Sequence, residues 1–251
     1  MEDLCRRAER GEVGRSEFLT PRLCHYGTLY LERRGVEYLT YGGYPEAERK
    51  RIYLLPDYMT DEESPMTVER LEEFDCSLEL VAVQATGSGY RSLSHRDFLG
   101  SLLGLGLERS VFGDLIVTEE GRTAVVFCEE RIVPFLLREW TKVATDSVKV
   151  SVLPLTDGIV APQRYEPIGA TVASPRLDAT VAALCRLSRE KARELILGGM
   201  VEMNFESEER PDRTVTAPAQ ISVRGYGRYR VLALSDLTKK GRIRMEAERY
   251  R

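Results

Sequence analysis

Residues 174–205 read SPRLDATVAALCRLSREKARELILGGMVEMNF, and the punctuation in that stretch decides what the carboxy-terminal part of the chain becomes. Ser174 is a residue type that caps helices, and Pro175 carries the fixed φ welcome at the first helical position. A helix is therefore expected to start there, with Leu177, Val181 and Leu184 along one face. Ser188 caps a second helix, in which Leu187 and Ala192 have the spacing of a hydrophobic staple and Ala192, Leu195 and Ile196 form the buried stripe. Gly198-Gly199 ends it. Strands are expected over Val201–Asn204 and Ile221–Val223, so the segment reads as two packed helices leading into a small sheet. Arg189 and Arg193, four residues apart, share the face away from the apolar stripe, with Arg176 and Arg186 near the helix starts. Such a basic surface suits phosphate.

The charge distribution supports that reading. The chain of 251 residues has a formal net charge of −4, but residues 175–251 hold 16 Lys+Arg against 11 Asp+Glu, leaving the first 174 with 20 against 29. An acidic body thus carries a basic end. Most of the excess lies in residues 214–251, with nine cations and three anions, which points to a polyanion partner for one end only. There, SVRGYGRYRV sets Arg224, Arg228 and Arg230 around two glycines with Tyr226 and Tyr229 interleaved. Lys239, Lys240, Arg242 and Arg244 follow. Cations for phosphates and rings for stacking is one reading; a hairpin whose tyrosines pack on its own domain is the other.

Upstream, 153–175 reads LPLTDGIVAPQRYEPIGATVASP, with four prolines and no sustained period, and is expected to be an irregular connection. Before it the patterns run SLELVAVQAT, SHRDFLGSLLGLG, GDLIVTEE, RTAVVFCE, EERIVPFLLREW and VKVSVLPL, which is the order βαββαβ. Six such elements in about 80 residues match a ferredoxin-like unit, an antiparallel sheet under two helices, as in many RNA-recognition modules. RNA-recognition sheets stack bases on aromatics of their middle strands. Here SLELVAVQ has none and RTAVVFCE only Phe127, so packing or protein contact is at least as good a use of this sheet. The first 74 residues suggest a small α+β unit: helices in DLCRRAER and PRLCHYGTLYLERR, strands in VEYLTY and IYLLP, and a short helix from Pro45 carrying Arg49, Lys50 and Arg51. The fold class is accordingly α+β, partitioned as 1–74, 75–157, a linker at 158–174, and 175–251.

Composition and motifs exclude much. At 43% hydrophobic and 30% charged, with 20 Gly and 11 Pro, the chain is neither collagen-like nor wholly disordered, and it is long enough for two or three domains. No apolar run approaches the roughly 20 residues of a bilayer crossing. The amino terminus MEDLCRRAERGE is too charged for a secretory signal. Cys5, Cys24, Cys76, Cys128 and Cys185 are odd in number and never form C-x-x-C, against both a disulfide framework and a zinc knuckle, so a reducing cytoplasm is expected. Ser94-His95-Arg96-Asp97 resembles a kinase H-R-D, but the position for its Asn is Leu102 and the other kinase signatures are missing. Ser94 and Asp97 read better as a helix capping box. His25 and His95 lack partners at metal or triad spacing, so no catalytic constellation, metal or cofactor is expected.

The pattern Arg176-Leu177-Asp178, Ser188-Arg189, Ala192, Ile196, Gly199, Val201 and Asn204 resembles the RNA-binding domain named for ribosomal protein S-four. With GGYPEAERKR, SHRDFLGSLLGLGLERSVFGD and ISVRGYGRYR, the chain is similar to the YlmH-like RNA-binding proteins of bacteria over most of its length. That resemblance implies a terminal S-four-type domain and binding to the large ribosomal subunit, particularly subunits stalled with peptidyl-tRNA; with no catalytic constellation in the sequence, non-catalytic binding to its ribosomal RNA is the expectation. The chain departs from the broader pattern at Phe205, where glycine usually follows the asparagine. The residues expected to touch RNA are Arg176, Arg186, Ser188, Arg189, Lys191, Arg193, Asn204, Arg224, Arg228, Lys239, Lys240 and Arg242. A pseudouridine-synthase-like enzyme and a protein-binding adaptor stand as the alternatives. A monomer without membrane contact is the expected state.

Overall fold

Thr20 accepts a hydrogen bond from the Leu23 N–H at 3.3 Å and Pro21 follows it, which starts the longest amino-terminal helix where the sequence places it. The computed structural model describes residues 1–60, 67–74, 76–155, 165–237 and 241–250. These fall into two compact units, Met1–Pro162 and Gln163–Arg251. The first begins with α1 (Glu2–Glu9), β1 (Gly14–Arg15), α2 (Pro21–Glu32), β2 (Tyr38–Tyr41) and β3 (Arg51–Leu54), the strands pairing antiparallel in the order β1-β3-β2. A short α3 (Val68–Glu73) follows.

Next come β4 (Leu80–Gly87), α4 (His95–Gly104), β5 (Phe112–Thr118), β6 (Thr123–Glu129), α5 (Val133–Glu139), β7 (Lys142–Val143) and β8 (Asp146–Leu153). The antiparallel sheet has the order β5-β6-β4-β8-β7, so apart from the added β7 the βαββαβ sequence closes as a ferredoxin-like unit does. Ser94 and Asp97 make the reciprocal capping box that starts α4. The helices bury Phe98, Leu102 and Leu136 against Val83, Ala85 and Val126, and the buried Trp140 donates its indole N–H to Ser101 Oγ at 2.8 Å.

The other face of this sheet is not free. Phe18, Tyr44 and Ala47 pack on Ala82, Ile116 and Phe127, and the Tyr44 ring stacks on Phe127 with centroids 5.1 Å apart. The buried Asp114 carboxylate fixes that cover, accepting from Tyr44 Oη at 2.6 Å, Glu48 N at 2.8 Å and Arg49 N at 3.2 Å. Arg49 in turn donates to the carbonyls of Phe18, Arg109 and Phe112. The helix expected from Pro45 therefore does not form: residues 42–50 are a turn pinned to β5, and their N–H groups serve Asp114 instead of a helical ladder. The amino-terminal residues share one compact unit with the central sheet.

The second unit holds β9 (Tyr165–Val172), α6 (Leu177–Cys185), α7 (Arg189–Leu197), β10 (Val201–Met203), β11 (Glu206–Ser207), β12 (Ala219–Val223), β13 (Gly227–Leu237) and β14 (Ile243–Tyr250). Its antiparallel sheet runs β11-β10-β12-β13-β14-β9, with α6 and α7 packed through Leu177, Val181, Ala192 and Ile196 onto Ile221, Val231 and Met245. Two expectations are corrected. The linker expected at 158–174 contains β9, an edge strand paired with β14 along its length; cross-strand bonding overrides its weak local pattern, and residues 158–164 lie outside the described residues. The first helix starts at Leu177, not at Pro175, because its leading N–H groups find backbone partners in place of a Ser174 cap. Leu177 N donates to Arg213 O at 2.8 Å and Asp178 N to Pro211 O at 3.0 Å.

Gly43 has φ +103, and a Cβ built there would lie 2.1 Å from Phe127 Cδ1. Replacing Gly43 with Ala should cost roughly 1–3 kcal/mol through overpacking, with backbone strain added. Urea unfolding followed by Trp140 emission reads this directly, and an unmoved midpoint would show that the Tyr44 cover does not grip the sheet.

Candidate nucleic-acid interface

Asp178, in the first turn of α6, is 4% exposed and is the centre of the helix pair. Its carboxylate accepts from Arg176 at 3.1 and 3.3 Å, from Arg189 Nη2 at 3.1 and 3.2 Å, and from the Ala179 N–H at 2.8 Å. Burial alone would raise its pKa, but the hydrogen bonds and charges of the two arginines outweigh it and hold the carboxyl below its usual value. Arg189 is the first residue of α7, so one buried anion ties the starts of both helices. Ser188 caps α7 by accepting from the Lys191 N–H at 3.1 Å.

An open depression on this face is lined by Arg176, Asp178, Arg189, Glu190, Arg193, Glu194 and Leu197, three guanidinium groups among three carboxylates. Two of its arginines are spent partly on Asp178, yet their side chains keep 40% and 53% of their surface. Arg193 is exposed and makes no ion pair among the described residues; Lys191 pairs with Glu194 at 2.8 Å.

The remaining expected contacts scatter. Arg186, in the left-handed conformation, closes α6 two residues before the Ser188 cap of α7, and it lines a second hollow with Gly225, Tyr226, Tyr229 and Arg249. Asn204 faces its own sheet: its Oδ1 accepts from Gln220 N at 2.9 Å and its N–H donates to Gln220 O at 2.8 Å. Asn204 and Phe205 have φ +50 and +67, so the turn forms without the usual glycine, at a backbone cost of about 1–3 kcal/mol for a non-glycine residue. Arg224 is exposed beside Gly225, Arg242 donates to Thr171 O at 2.7 Å, and Lys239 and Lys240 lie outside the described residues.

Against known proteins, residues 71–157 match the family model described as "Putative RNA-binding domain in YlmH". A Bacillus subtilis (strain 168) protein named "Ribosome-associated protein quality control protein P2" is 31% identical over 236 residues, covering 94% of this chain and 87% of the relative. The chain belongs to the YlmH family. The solved structure of the cell division protein ylmH from Streptococcus pneumoniae shares the fold, with a TM-score of 0.51 at 20% identity over 64% of this chain and 90% of that one.

The aromatic residues of this YlmH chain divide against the stacking expectation. Tyr229 is buried and donates to Tyr226 O, while burial, then its bond with Cys185, pushes its hydroxyl up to about 12. Tyr226 packs against the same core, so this is the hairpin whose tyrosines serve their own domain. Arg228 and Arg230 lie over Tyr250 and Tyr165 at 4.5 and 4.3 Å, the two rings meeting edge to face at 4.9 Å, and Arg230 also bonds Glu248. The sequence reading missed Tyr165, Tyr250 and Arg249, and β9 read as a strand would have exposed the first. Among the described residues no group of three metal-ligating side chains gathers, and no helix is long and apolar enough to cross a membrane.

Because the folded-state pKa of Asp178 is depressed, its contribution is complete above its ordinary value of 3.8 and fades as pH falls through the lower folded value. Asp178→Asn should therefore cost about 2 kcal/mol at pH 7, the scale of a charge-assisted bond. The gap should close below that range. Urea unfolding of both proteins at pH 7 and in strong acid, followed by circular dichroism, measures it; a gap independent of pH would show that the ionised carboxylate is not the tie.

Proposed function

We propose that this YlmH-family chain is a non-catalytic RNA-binding protein of the cytoplasm that holds ribosomal RNA of the large subunit, with peptidyl-tRNA on that subunit as a second RNA, in translation rescue. Its helix pair is read as the S-four-type platform. The observation that carries the reading is the open groove floored by Asp178, in which Arg176 and Arg189 are fixed in direction and Arg193 is left unpaired among the described residues. Cations that are pre-aimed lose little freedom on meeting phosphate oxygens, and forked guanidinium groups suit that geometry. The name printed for the Bacillus subtilis relative, with its ribosome association and quality control, supports the setting, and the description of the family model supports RNA as ligand.

The same geometry speaks against the synthase-like alternative. Arg176-Leu177-Asp178 superficially resembles a pseudouridine-synthase aspartate motif, but Asp178 spends its oxygens on two guanidinium groups and a backbone N–H. A carboxylate so occupied orients neighbours; it does not attack a base.

Binding of the purified large subunit should weaken with salt with a log-log slope of roughly −4, as expected if about five phosphates are neutralised. Arg193→Glu should weaken pelleting about tenfold, near 1.4 kcal/mol, and reduce the magnitude of that slope by about 1. Arg189→Glu would set a second carboxylate against Asp178 and disturb the helix pair, so Arg193 is the clean reporter. Salt-insensitive pelleting, or full binding by Arg193→Glu, would remove the groove from the account.

A further inference from the structure

Tyr90 is 99% exposed, more than any other large apolar or aromatic side chain among the described residues, the next being Tyr58 at 70%. Its hydroxyl has no hydrogen-bond partner among them. A tyrosine presented whole at a loop tip offers a partner both a flat apolar face and a polar end. This tip is not loose. The Gly87 N–H donates to Arg122 O at 2.8 Å, Ser88 N to Asp146 Oδ2 at 3.1 Å, Ser92 Oγ to the Glu120 carbonyl and Leu93 N to Gly121 O at 2.9 Å. Leu93 is buried in the central core, so both feet of the 88–92 loop are bolted to the sheet while Tyr90 projects from it.

The surroundings define the ligand. Arg91 follows the ring, with a weak bond to Thr145 Oγ1 at 3.4 Å that leaves most of its donors unused. The Arg122 side chain runs beneath Gly89, its Nε 3.6 Å from where a Cβ would sit. Lys149 stands exposed on β8 opposite Thr86, at the end of the sheet from which the loop springs. A flat ring with Arg91 next to it in the chain and Arg122 beneath the neighbouring Gly89 supplies what an unpaired nucleotide needs: a face for its base and guanidinium groups for its phosphates. The usual place for stacking in this architecture is closed, because Phe127 lies fully buried under Tyr44.

We propose that the 88–92 loop is a second RNA contact, in which Tyr90 stacks on an unpaired base while Arg91 and Arg122 hold the adjoining phosphates. RNA is favoured over a protein surface because the family match over 71–157, described as RNA-binding, includes this loop. The inference rests on the RNA-binding reading above and adds a site within the first unit to it. Since the feet are fixed before binding, little ordering cost falls on the contact.

The test uses the full-length chain. Tyr90→Ala should weaken binding to the purified large subunit at least about fivefold, the lower end of what one lost stack removes. Its salt slope should match that of the parent, since no charge is lost, whereas Arg193→Glu flattens the slope. Tyr90→Trp should recover the affinity and report the stack directly. The chain has a single tryptophan, Trp140, which is buried and bonded to Ser101, so a new exposed indole gives a separable signal. A mixed-sequence single-stranded RNA decamer should quench that indole, and an abasic decamer of the same length should not. Undiminished subunit binding by Tyr90→Ala, or an unquenched indole under saturating decamer, would overturn the stacking role and leave the proposed function standing. A parent chain that failed to pellet with the subunit would remove the proposed function and this inference with it.

Discussion

A carboxylate withdrawn from water needs donors on every side, and at Asp178 they come from three places: its own helix, the residue before that helix, and the first residue of the next. That requirement fixes more than one side chain. It sets how α6 and α7 begin relative to each other, and it aims two guanidinium groups along one face. The Arg193 next to them is then not an isolated surface cation but the outer member of an ordered row. A platform assembled only from solvated lysines would carry comparable charge without the direction.

The amino-terminal unit uses the same device for a different end. Asp114, also buried, gathers Tyr44, Glu48 and Arg49 and so clamps a turn across the sheet. Two consequences follow from one carboxylate. The segment that precedes the βαββαβ elements becomes part of their core, and the sheet surface that related architectures open to bases is sealed by an aromatic stack. Fold likeness alone would have assigned the wrong surface, because function is grafted onto a fold by its exposed residues and not by its strand order.

Sequence legibility followed sequence locality. Ser188 and the capping box at Ser94 were readable because a cap needs only a side chain and an N–H three residues on. The order βαββαβ was readable because each strand and helix there carries its own period. What escaped was decided at long range. Residues 165–172 look like a connection and become a strand only because β14 offers them a partner, and the start of α6 is set by carbonyls more than thirty residues downstream. The candidate contacts show the same split: Arg189 and Arg193 were correctly placed on one face, whereas no spacing rule could show that Arg189 would be claimed by Asp178 or Asn204 by Gln220.

The strand β9 also changes how the carboxy-terminal unit can be separated from the rest. A fragment cut at residue 175, where the helical pattern opens, would strip the partner from Ile243–Tyr250 and leave eight residues of ladder unanswered on that side. Bare edges of that length recruit strands from other molecules. Self-association of such a fragment would then be a property of the cut and not of the protein, and the domain in the physical sense begins before Tyr165.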